Sequence, residues 1–462
     1  MSLQKTISPV DGSVYVEREL AHELAIDGAL DRAVEAQRAW RAVSLAERAA
    51  ICRRFCDAFE ARRDAIALEL TWQMGRPIRY TASEVRGTLE RARYMIDAAP
   101  EALADVDVGL KADFTRFVRR EPLGVVFTVA AWNYPYLIAV NSVVPALMAG
   151  NAVVLKHSAQ TPLCAERFAE CFLEAGLPAG VFQVLHLSHA DTERVVKDSR
   201  VAFVAFTGSV AGGHAIQQAV SARFIGAGLE LGGCDPAYVR HDANLAHAVE
   251  NLVDGAFFNS GQSCCGIQRI YVHESLYDDF VTGAVALTNK YVLASPTDEA
   301  TTLGPVVRKS AADQIRGQVA ASVAAGARAA IDERAFSASR VGTPYVAPQL
   351  LLDVDHRMSV MREEIFGPVA GVMKVRNDDE AVKLMNDSTF GLTAAIWTED
   401  ADAALALGDR IDTGTWFMNR CDYLDPALAW VGVKDSGRGC TLSRVGYEHL
   451  TRPKSFHLRT KT

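Results

Sequence analysis

Two side chains capable of covalent chemistry lie in glycine-containing segments of this 462-residue chain. Cys264 closes the segment Asn-Ser-Gly-Gln-Ser-Cys over 259–264, and Glu230 lies 34 residues upstream in Leu-Glu-Leu-Gly-Gly over 229–233. A thiolate is a strong nucleophile, and partial burial raises the pKa of a carboxylate until it can act as a base near neutrality. The pair therefore indicates acyl transfer through a thioester. Taken singly, the cysteine could be inert core and the glutamate a helix cap or a salt-bridge partner.

Further polar residues and glycines come directly after predicted strands. The side-chain amide of Asn133 could donate to a developing oxyanion, and Lys156 could bind ribose hydroxyls or phosphate. Gly208 and Ser209 precede a predicted helix, whose first backbone amides suit a pyrophosphate. Glu364 could hold ribose hydroxyls, as acids do in dinucleotide sites. The alternatives are a turn asparagine, a solvated lysine, a simple strand–helix turn and a surface turn.

A regular alternation of strands and helices is predicted to position these residues. Short apolar strands alternate with helical segments, at 125–131, 152–155, 181–185 and 201–206. This pattern predicts a parallel sheet with crossover helices, in which ligands gather at the carboxyl ends of the strands. Residues 234–432 repeat the alternation, so a second α/β unit is expected.

The first 105 residues are predicted to be mostly helical. The segment Ser-Leu-Ala-Glu over 44–47 reads as a capping box that opens one long helix through about residue 73, and a second helix is predicted over 80–104. Residues 111–120 alternate between apolar and charged side chains, which predicts an exposed or edge strand.

Length and composition limit the classes of protein. At 462 residues the chain exceeds the size of one core, so two or three domains are expected. The net charge of −8 gives no reason to propose nucleic acid or membrane partners. The nine cysteines show no metal-binding spacing, so no metal is predicted, and the adjacent Cys265 is expected to be structural. Free thiols and an N-terminus without a long apolar run favour the cytoplasm.

Together and in this order, the motifs resemble those of the NAD(P)-dependent aldehyde dehydrogenase superfamily. The specific blocks are Leu-Glu-Leu-Gly-Gly, Phe-x-Asn-x-Gly-Gln-x-Cys and Glu-Glu-Ile-Phe-Gly-Pro, and the matches run from about residue 8 to residue 455. The resemblance implies an α/β fold with two Rossmann-type α/β domains and a small β oligomerisation arm. The implied parts are a cofactor-binding domain (1–112 and 124–231), a catalytic domain (232–432) and the arm (113–123 and 433–462). The arm in turn implies a homodimer or a homotetramer.

The resemblance also implies oxidation of an aldehyde to a carboxylic acid with NAD or NADP. Cys264 would form a thiohemiacetal and then a thioester, Glu230 would activate the hydrolytic water, and Asn133 with the Cys264 amide would form the oxyanion hole. The implied cofactor-binding residues are Trp132, Lys156, Ala159, Gly208, Ser209, Gly213, Glu364 and Phe366. The implied substrate channel consists of Tyr134, Ile138, Asn141, Phe258, Ser263, Leu424 and Trp430.

The chain departs from the family pattern near the cofactor and at the mouth of the channel. Ala159 stands where many NAD-preferring members carry a glutamate that grips the adenosine ribose and repels a 2′-phosphate. Tolerance of NADP is therefore predicted, with the preference left open. The loop 186–191 lacks the glycines common there, and 429–432 reads Ala-Trp-Val-Gly instead of Pro-Phe-Gly-Gly, which alters the substrate mouth.

The implied channel lining is mainly apolar and aromatic, so the main prediction is a hydrophobic aliphatic or aromatic aldehyde. Succinic-semialdehyde relatives carry arginines at the places of Asn141 and Phe258, so a semialdehyde is disfavoured unless another arginine, such as Arg420, substitutes. Tyr134 and Trp430 also allow a partial aromatic cage for an amino-aldehyde. Semialdehydes and amino-aldehydes are the alternatives to the main prediction.

Two rival functions differ in class from aldehyde oxidation to the acid. A CoA-acylating dehydrogenase would resolve the thioester with CoA, and the presence of Glu230 as a base for water argues against it. A non-catalytic binding or structural protein would have no chemical need for Cys264, Glu230 and Asn133 together.

Overall fold

The structure is a computed structural model that describes residues 2–462, and this part of the chain contains thirteen α-helices and twenty β-strands. The helices are α1 (Glu23–Trp40), α2 (Leu45–Ala61), α3 (Arg63–Met74), α4 (Ile78–Ala102), α5 (Pro135–Met148), α6 (Pro162–Glu174), α7 (His189–Lys197), α8 (Val210–Val220), α9 (Leu245–Phe257), α10 (Tyr277–Thr288), α11 (Lys309–Ala324), α12 (Asp378–Asn386) and α13 (Ala401–Gly408). The strands are β1 (Leu3–Ile7), β2 (Val14–Glu19), β3 (Val106–Asp107), β4 (Phe114–Pro122), β5 (Val125–Val129), β6 (Ala152–Lys156), β7 (Phe182–Val184), β8 (Val201–Thr207), β9 (Gly226–Glu230), β10 (Asp235–Val239), β11 (Ile267–His273), β12 (Arg328–Ala329), β13 (Gln349–Leu352), β14 (Val369–Val375), β15 (Phe390–Gly391), β16 (Thr393–Trp397), β17 (Thr415–Met418), β18 (Val433–Lys434), β19 (Gly437–Arg438) and β20 (Thr451–Arg459).

Two mostly parallel sheets form the frame of the molecule. The first has the order β19-β9-β8-β5-β6-β7, in which only β19 runs antiparallel to its neighbour. The second has the order β12-β13-β14-β11-β10-β16-β17, in which only β12 is antiparallel. The predicted α/β class with two Rossmann-type sheets is confirmed.

The central strands of the first sheet are apolar throughout because helices cover both faces. Val126 packs into a core with residues of α2, α4, α5 and α6. Its neighbours Val125 and Phe127 point the other way, into a core with residues of α1, α7 and α8. Burial on both faces removes the alternation of polar and apolar residues that marks a half-exposed strand.

The capping box at the start of α2 forms as predicted, with the Ser44 hydroxyl accepting from the Glu47 amide at 3.2 Å. The single long helix predicted from there is wrong, because the chain breaks at Arg62 into α2 and α3. The Arg62 guanidinium donates to the carbonyl of Ala58 at 2.9 Å and to Glu174 of α6. These contacts satisfy one of the carbonyls that the end of α2 exposes, and they depend on the tertiary structure.

A third sheet, of order β20-β4-β3, stands apart from the two main sheets. Its strands β4 and β20 pair antiparallel over nine residue pairs, from Thr451 with Pro122 to Arg459 with Phe114. The predicted strand over 111–120 is thus observed as β4. Residues 437–438, which the sequence assigns to the arm, pair with β9 of the first main sheet. The domain boundaries and the role of the arm in oligomerisation stay predictions.

Within residues 2–462, no helix combines the length and the apolar character needed to cross a membrane.

Candidate active site

Cys264 and Glu230 line the same cavity, which has a volume of about 790 Å³. Glu230 is the last residue of β9, and Cys264 lies three residues before β11. The cavity therefore brings residues of the two main sheets together, as expected for ligand sites at the ends of parallel strands.

The loop before Cys264 has an unusual backbone. Asn259, Ser260 and Gly261 have φ angles of 53°, 57° and 68°. Two consecutive non-glycine residues in this region are costly unless their surroundings hold them, and such conformations cluster at functional sites. The Asn259 side chain donates to the carbonyls of Asn133 and Gln262, each at 3.1 Å. The loop is thereby held in a conformation that leaves the Cys264 thiol half-buried.

Asn133 lies against this loop, since its side-chain amide donates to the Gln262 carbonyl at 3.2 Å. Behind it, Arg76 donates to the Asn133 carbonyl at 2.5 Å and to the Asn259 side chain at 3.0 Å. Arg76 is paired with Glu84, and both side chains are almost fully buried. The sequence reading missed Arg76, because its segment Gly-Arg-Pro indicates only the end of a helix.

Glu230 is held by two hydroxyl groups. Thr441 donates to one oxygen of its carboxylate, and Thr207 donates to the other at 3.2 Å. Burial raises the pKa of Glu230, whereas the hydrogen bonds from the two threonines and the charge of Arg91 act in the opposite direction. A carboxylate with a raised pKa is suited to general-base catalysis near neutral pH.

All the residues that the sequence assigned to the substrate channel line the cavity of Cys264. They are Tyr134, Ile138, Asn141, Phe258, Ser263, Leu424 and Trp430. One face of the Tyr134 ring is already covered by the Arg76 guanidinium, 4.6 Å from the ring centre. That face is closed to a cationic substrate group.

Arg91 of α4 also lines the cavity, and the sequence reading missed it. Its Nη1 donates to the Leu137 carbonyl at 3.0 Å and to the Asn141 side chain at 3.2 Å. The residue is 9% exposed, and no carboxylate lies within 4.0 Å of it among residues 2–462. A signal was present in the sequence, since Arg91 interrupts the apolar face that Leu89, Ala92 and Met95 form on the predicted helix.

Asp422 also lines the cavity of Cys264. One of its oxygens accepts from the Ser263 hydroxyl at 2.8 Å and from the Cys265 thiol at 2.9 Å. Burial raises the pKa of Asp422 to about 6, and these two hydrogen bonds partly offset that effect. Cys265 is buried and engaged with Asp422, which fits the structural role expected for it.

The residues assigned to a cofactor lie outside this cavity, and most of them follow strands of the first sheet. Lys156 ends β6, and burial lowers its pKa. The carbonyl of Ala159 accepts from the Thr6 hydroxyl at 2.7 Å. Ser209 caps α8 by accepting from the Gly212 amide at 3.2 Å. The helix α8 begins with Val-Ala-Gly-Gly directly after β8 and has no acidic residue in its first turn, so this helix N-terminus fits a pyrophosphate.

Two glycine positions near this helix are fixed by close packing. A Cβ atom on Gly208 would lie 2.6 Å from the ring of Phe206, and one on Gly213 would lie 2.7 Å from Leu231. A larger residue at either place would force the neighbouring side chain, Phe206 or Leu231, to move.

Glu364 and Phe366 lie near the loop before Cys264, and Phe366 contacts Trp132. Glu364 accepts from the Gly233 amide at 3.2 Å, and burial raises its pKa to about 7. Phe366, which has a φ of 54°, contacts Trp132 edge-to-face with ring centres 5.5 Å apart. That Glu364, Phe366, Trp132 and Lys156 bind the same dinucleotide stays a prediction.

Comparison with known proteins matches residues 2–456 to the model of the aldehyde dehydrogenase family. A succinate-semialdehyde dehydrogenase [NADP(+)] of Mycobacterium avium is 34% identical over 453 residues, which cover 97% of this chain and 95% of that protein. A succinate semialdehyde dehydrogenase [NAD(P)+] of Escherichia coli is 33% identical over 96% of each chain. The crystal structure of a succinic semialdehyde dehydrogenase of Streptococcus pyogenes with NADP+ superposes with a TM-score of 0.94 at 28% identity, over 99% of this chain and 100% of that one.

Proposed function

The chain belongs to the aldehyde dehydrogenase family, and we propose that it oxidises a short aldehyde carrying a carboxylate, with NADP or NAD as the oxidant. The semialdehyde alternative thus replaces the hydrophobic aldehyde as the preferred substrate. The curated relatives named above are consistent with this choice. The observation that carries it is the position of Arg91.

Arg91 places a guanidinium group where a semialdehyde carboxylate needs a partner. A buried charge with no carboxylate within 4.0 Å is only partly compensated, so an anionic substrate group would gain from pairing with it. Only Nη1 of Arg91 has acceptors among residues 2–462, and Nε and Nη2 are left for a ligand. The guanidinium contacts Asn141, the very position where an arginine was expected of such enzymes. The substituting arginine is therefore Arg91 of α4 rather than Arg420, which packs 4.0 Å from the ring centre of Tyr423.

In the proposed mechanism the Cys264 thiolate attacks the aldehyde carbon and forms a tetrahedral thiohemiacetal. The amide of Asn133, together with the Cys264 backbone N–H, donates to the oxyanion. Loss of hydride from this carbon leaves a thioester on Cys264. Glu230 then takes a proton from water, whose oxygen attacks the thioester carbon, and the carbon–sulfur bond breaks to release the acid and the thiolate.

The nicotinamide cofactor supplies the hydride acceptor when it is bound. Lys156 and Glu364 would hold its ribose hydroxyls, and Ser209 with the start of α8 would hold the pyrophosphate. Ala159 offers no carboxylate against a 2′-phosphate, so both NADP and NAD are expected to serve.

The rival substrate class is an amino-aldehyde, because three exposed carboxylates line the outer cavity. They are Glu90, Glu250 and Asp254. Arg86 and Lys290 also line this outer part, so its charge is mixed. The buried cation next to the reactive residues favours the anionic substrate, since electrostatic interactions are stronger away from water.

The test is the formation of reduced cofactor from a panel of succinic semialdehyde, hexanal, benzaldehyde and 4-aminobutanal, each with NAD and with NADP. We expect the highest kcat/KM for succinic semialdehyde. A preference for hexanal would restore the hydrophobic substrate, and a preference for 4-aminobutanal would favour the amino-aldehyde. A Cys264→Ala control shows whether turnover depends on the thiol.

We also propose a cellular compartment and an oligomeric state for the enzyme. The nine cysteines are free thiols, which suits a reducing compartment such as the cytoplasm. The edge strand β20 would pair with a second copy of the chain, as expected for a homodimer or homotetramer.

A further inference from the structure

We propose that Thr441 is a positioning residue for the Glu230 base, and that its hydroxyl keeps this carboxylate ready to activate water. This role rests on the proposed function, in which Glu230 hydrolyses the thioester. Thr441 lies 211 residues after Glu230 in the sequence, yet its hydroxyl donates to the Glu230 carboxylate.

The fold brings Thr441 to Glu230 through β19. Residues Gly437 and Arg438 pair with Glu230 and Leu229, which lays the C-terminal segment along the strand that carries the base. Thr441 then forms two backbone hydrogen bonds with Trp430, of 2.9 and 3.0 Å. Since Trp430 lines the substrate cavity, Thr441 connects the wall of the channel to the base.

The backbone directly after Thr441 has an unfavourable conformation. Leu442 and Ser443 have φ angles of 59° and 54°, in a region that non-glycine residues rarely adopt. Leu442 is fully buried, so the packing around it holds the unfavourable conformation. Consecutive strained residues next to a reactive group are typical of sites where position matters for chemistry.

Glu230 separates two cavities, which explains why it needs fixed partners. It lines the substrate cavity and also a smaller cavity behind it, together with Thr441, Thr128 and Ser142. A carboxylate with open space on both sides could rotate away from the thioester. The hydroxyls of Thr441 and Thr207, each bound to a different oxygen, fix both ends of the group.

Thr441 also favours the ionised form of Glu230, because a hydrogen bond donated to a carboxylate stabilises its charge. Burial raises the pKa of Glu230, and the hydroxyls of Thr441 and Thr207 together with the charge of Arg91 oppose that shift. The other titratable groups nearby are Cys264 in the substrate cavity and Cys440, Arg438 and His449 in the smaller cavity, both of which Glu230 also lines. Removal of the Thr441 hydroxyl would leave the base protonated over a wider pH range. The predicted consequence is slower hydrolysis of the acyl-enzyme at low pH and a normal rate at high pH.

The experiment measures the pH profile of 4-nitrophenyl acetate hydrolysis, in which a thiolate is acylated without cofactor and steady-state turnover reports deacylation. For Thr441→Val we expect the acid limb to move upward by about 1 to 2 pH units, with the plateau retained. Thr441→Ser keeps the hydroxyl and should restore the wild-type limb. Thr128→Val is the matched control, since the Thr128 hydroxyl contacts Ser142 at 2.9 Å and not Glu230.

A Thr441→Val profile that coincides with the wild type, or that falls equally at every pH, would overturn the proposal. Thr441→Ala replaces the valine variant if that variant does not fold. Glu230→Gln separates this failure from failure of the proposed mechanism. If Glu230→Gln leaves ester turnover unchanged, Glu230 is not the base, and both the proposed mechanism and the proposed role of Thr441 fail. If semialdehydes are poor substrates but the limb shifts, only the substrate proposal fails.

Discussion

Replacement of Arg91 by methionine is the sharpest test of how the cavity selects its substrate. Methionine keeps much of the side-chain volume and removes the guanidinium. Truncation of one partner of a buried, hydrogen-bonded charge pair costs about 2 to 5 kcal/mol. At about 1.4 kcal/mol for each factor of ten, kcat/KM for succinic semialdehyde should fall by about 30-fold to about 4,000-fold. The high burial of Arg91, at 9% exposed, places it in the range where such values apply.

The same substitution has a second effect that is common to all aldehydes. The charge of Arg91 lowers the pKa of Glu230, so its removal makes the base harder to ionise. The assay is therefore the ratio of kcat/KM for succinic semialdehyde to that for hexanal, from which the shared effect cancels. Arg91→Lys retains the charge but lacks the planar fork that binds a carboxylate through two hydrogen bonds, so its ratio should be intermediate.

An unchanged substrate ratio in a folded Arg91→Met enzyme would refute this reasoning. Folding needs its own measurement, because Arg91 also donates to the Leu137 carbonyl and to Asn141. Thermal unfolding of each variant shows whether those lost bonds weaken the packing between α4 and α5. A lower midpoint with a wild-type ratio would assign Arg91 a purely structural role.

Three further substitutions test the proposed nucleophile and the proposed cofactor site. Cys264→Ala should abolish aldehyde oxidation but still bind reduced cofactor, as measured by the fluorescence of that cofactor. Cys265→Ala should keep most of the turnover. Equal losses of turnover in both variants would contradict the assignment of Cys264 as the nucleophile. Ala159→Glu should lower the ratio of kcat/KM with NADP to that with NAD by about 10-fold to about 100-fold, because a carboxylate repels the 2′-phosphate. An unchanged ratio would mean that the 2′-phosphate does not lie near position 159.

Local sequence patterns were sufficient to predict the class of reaction. The motifs around Glu230 and Cys264 need particular residues at fixed spacings, because short glycine turns allow the backbone to approach closely. A Cβ atom on Gly233, for example, would lie 2.5 Å from the Cys264 carbonyl oxygen. The apolar strands could also be predicted from the sequence, because a strand that is buried on both faces consists of continuous apolar residues.

The sequence predicted the helices of the first 105 residues only in part. The cap at Ser44 is a contact between residues three apart, and the sequence predicted it correctly. The break at Arg62 has no local signal, because neither glycine nor proline stands there, and the contact that the Arg62 side chain makes at this point is with Glu174, 112 residues later.

The proposed substrate class rests on the tertiary structure. The positions that line the cavity followed from the motifs, but the cation that completes them comes from α4, a helix with no motif of its own. Arg76, Arg91 and Thr441 act on residues that lie 57, 50 and 211 positions away. By itself the sequence determined the reaction type, because that depends on residue identity within short segments. Only the folded chain decided which charges face the substrate and which hydroxyls hold the base, because those contacts join residues that the chain keeps far apart.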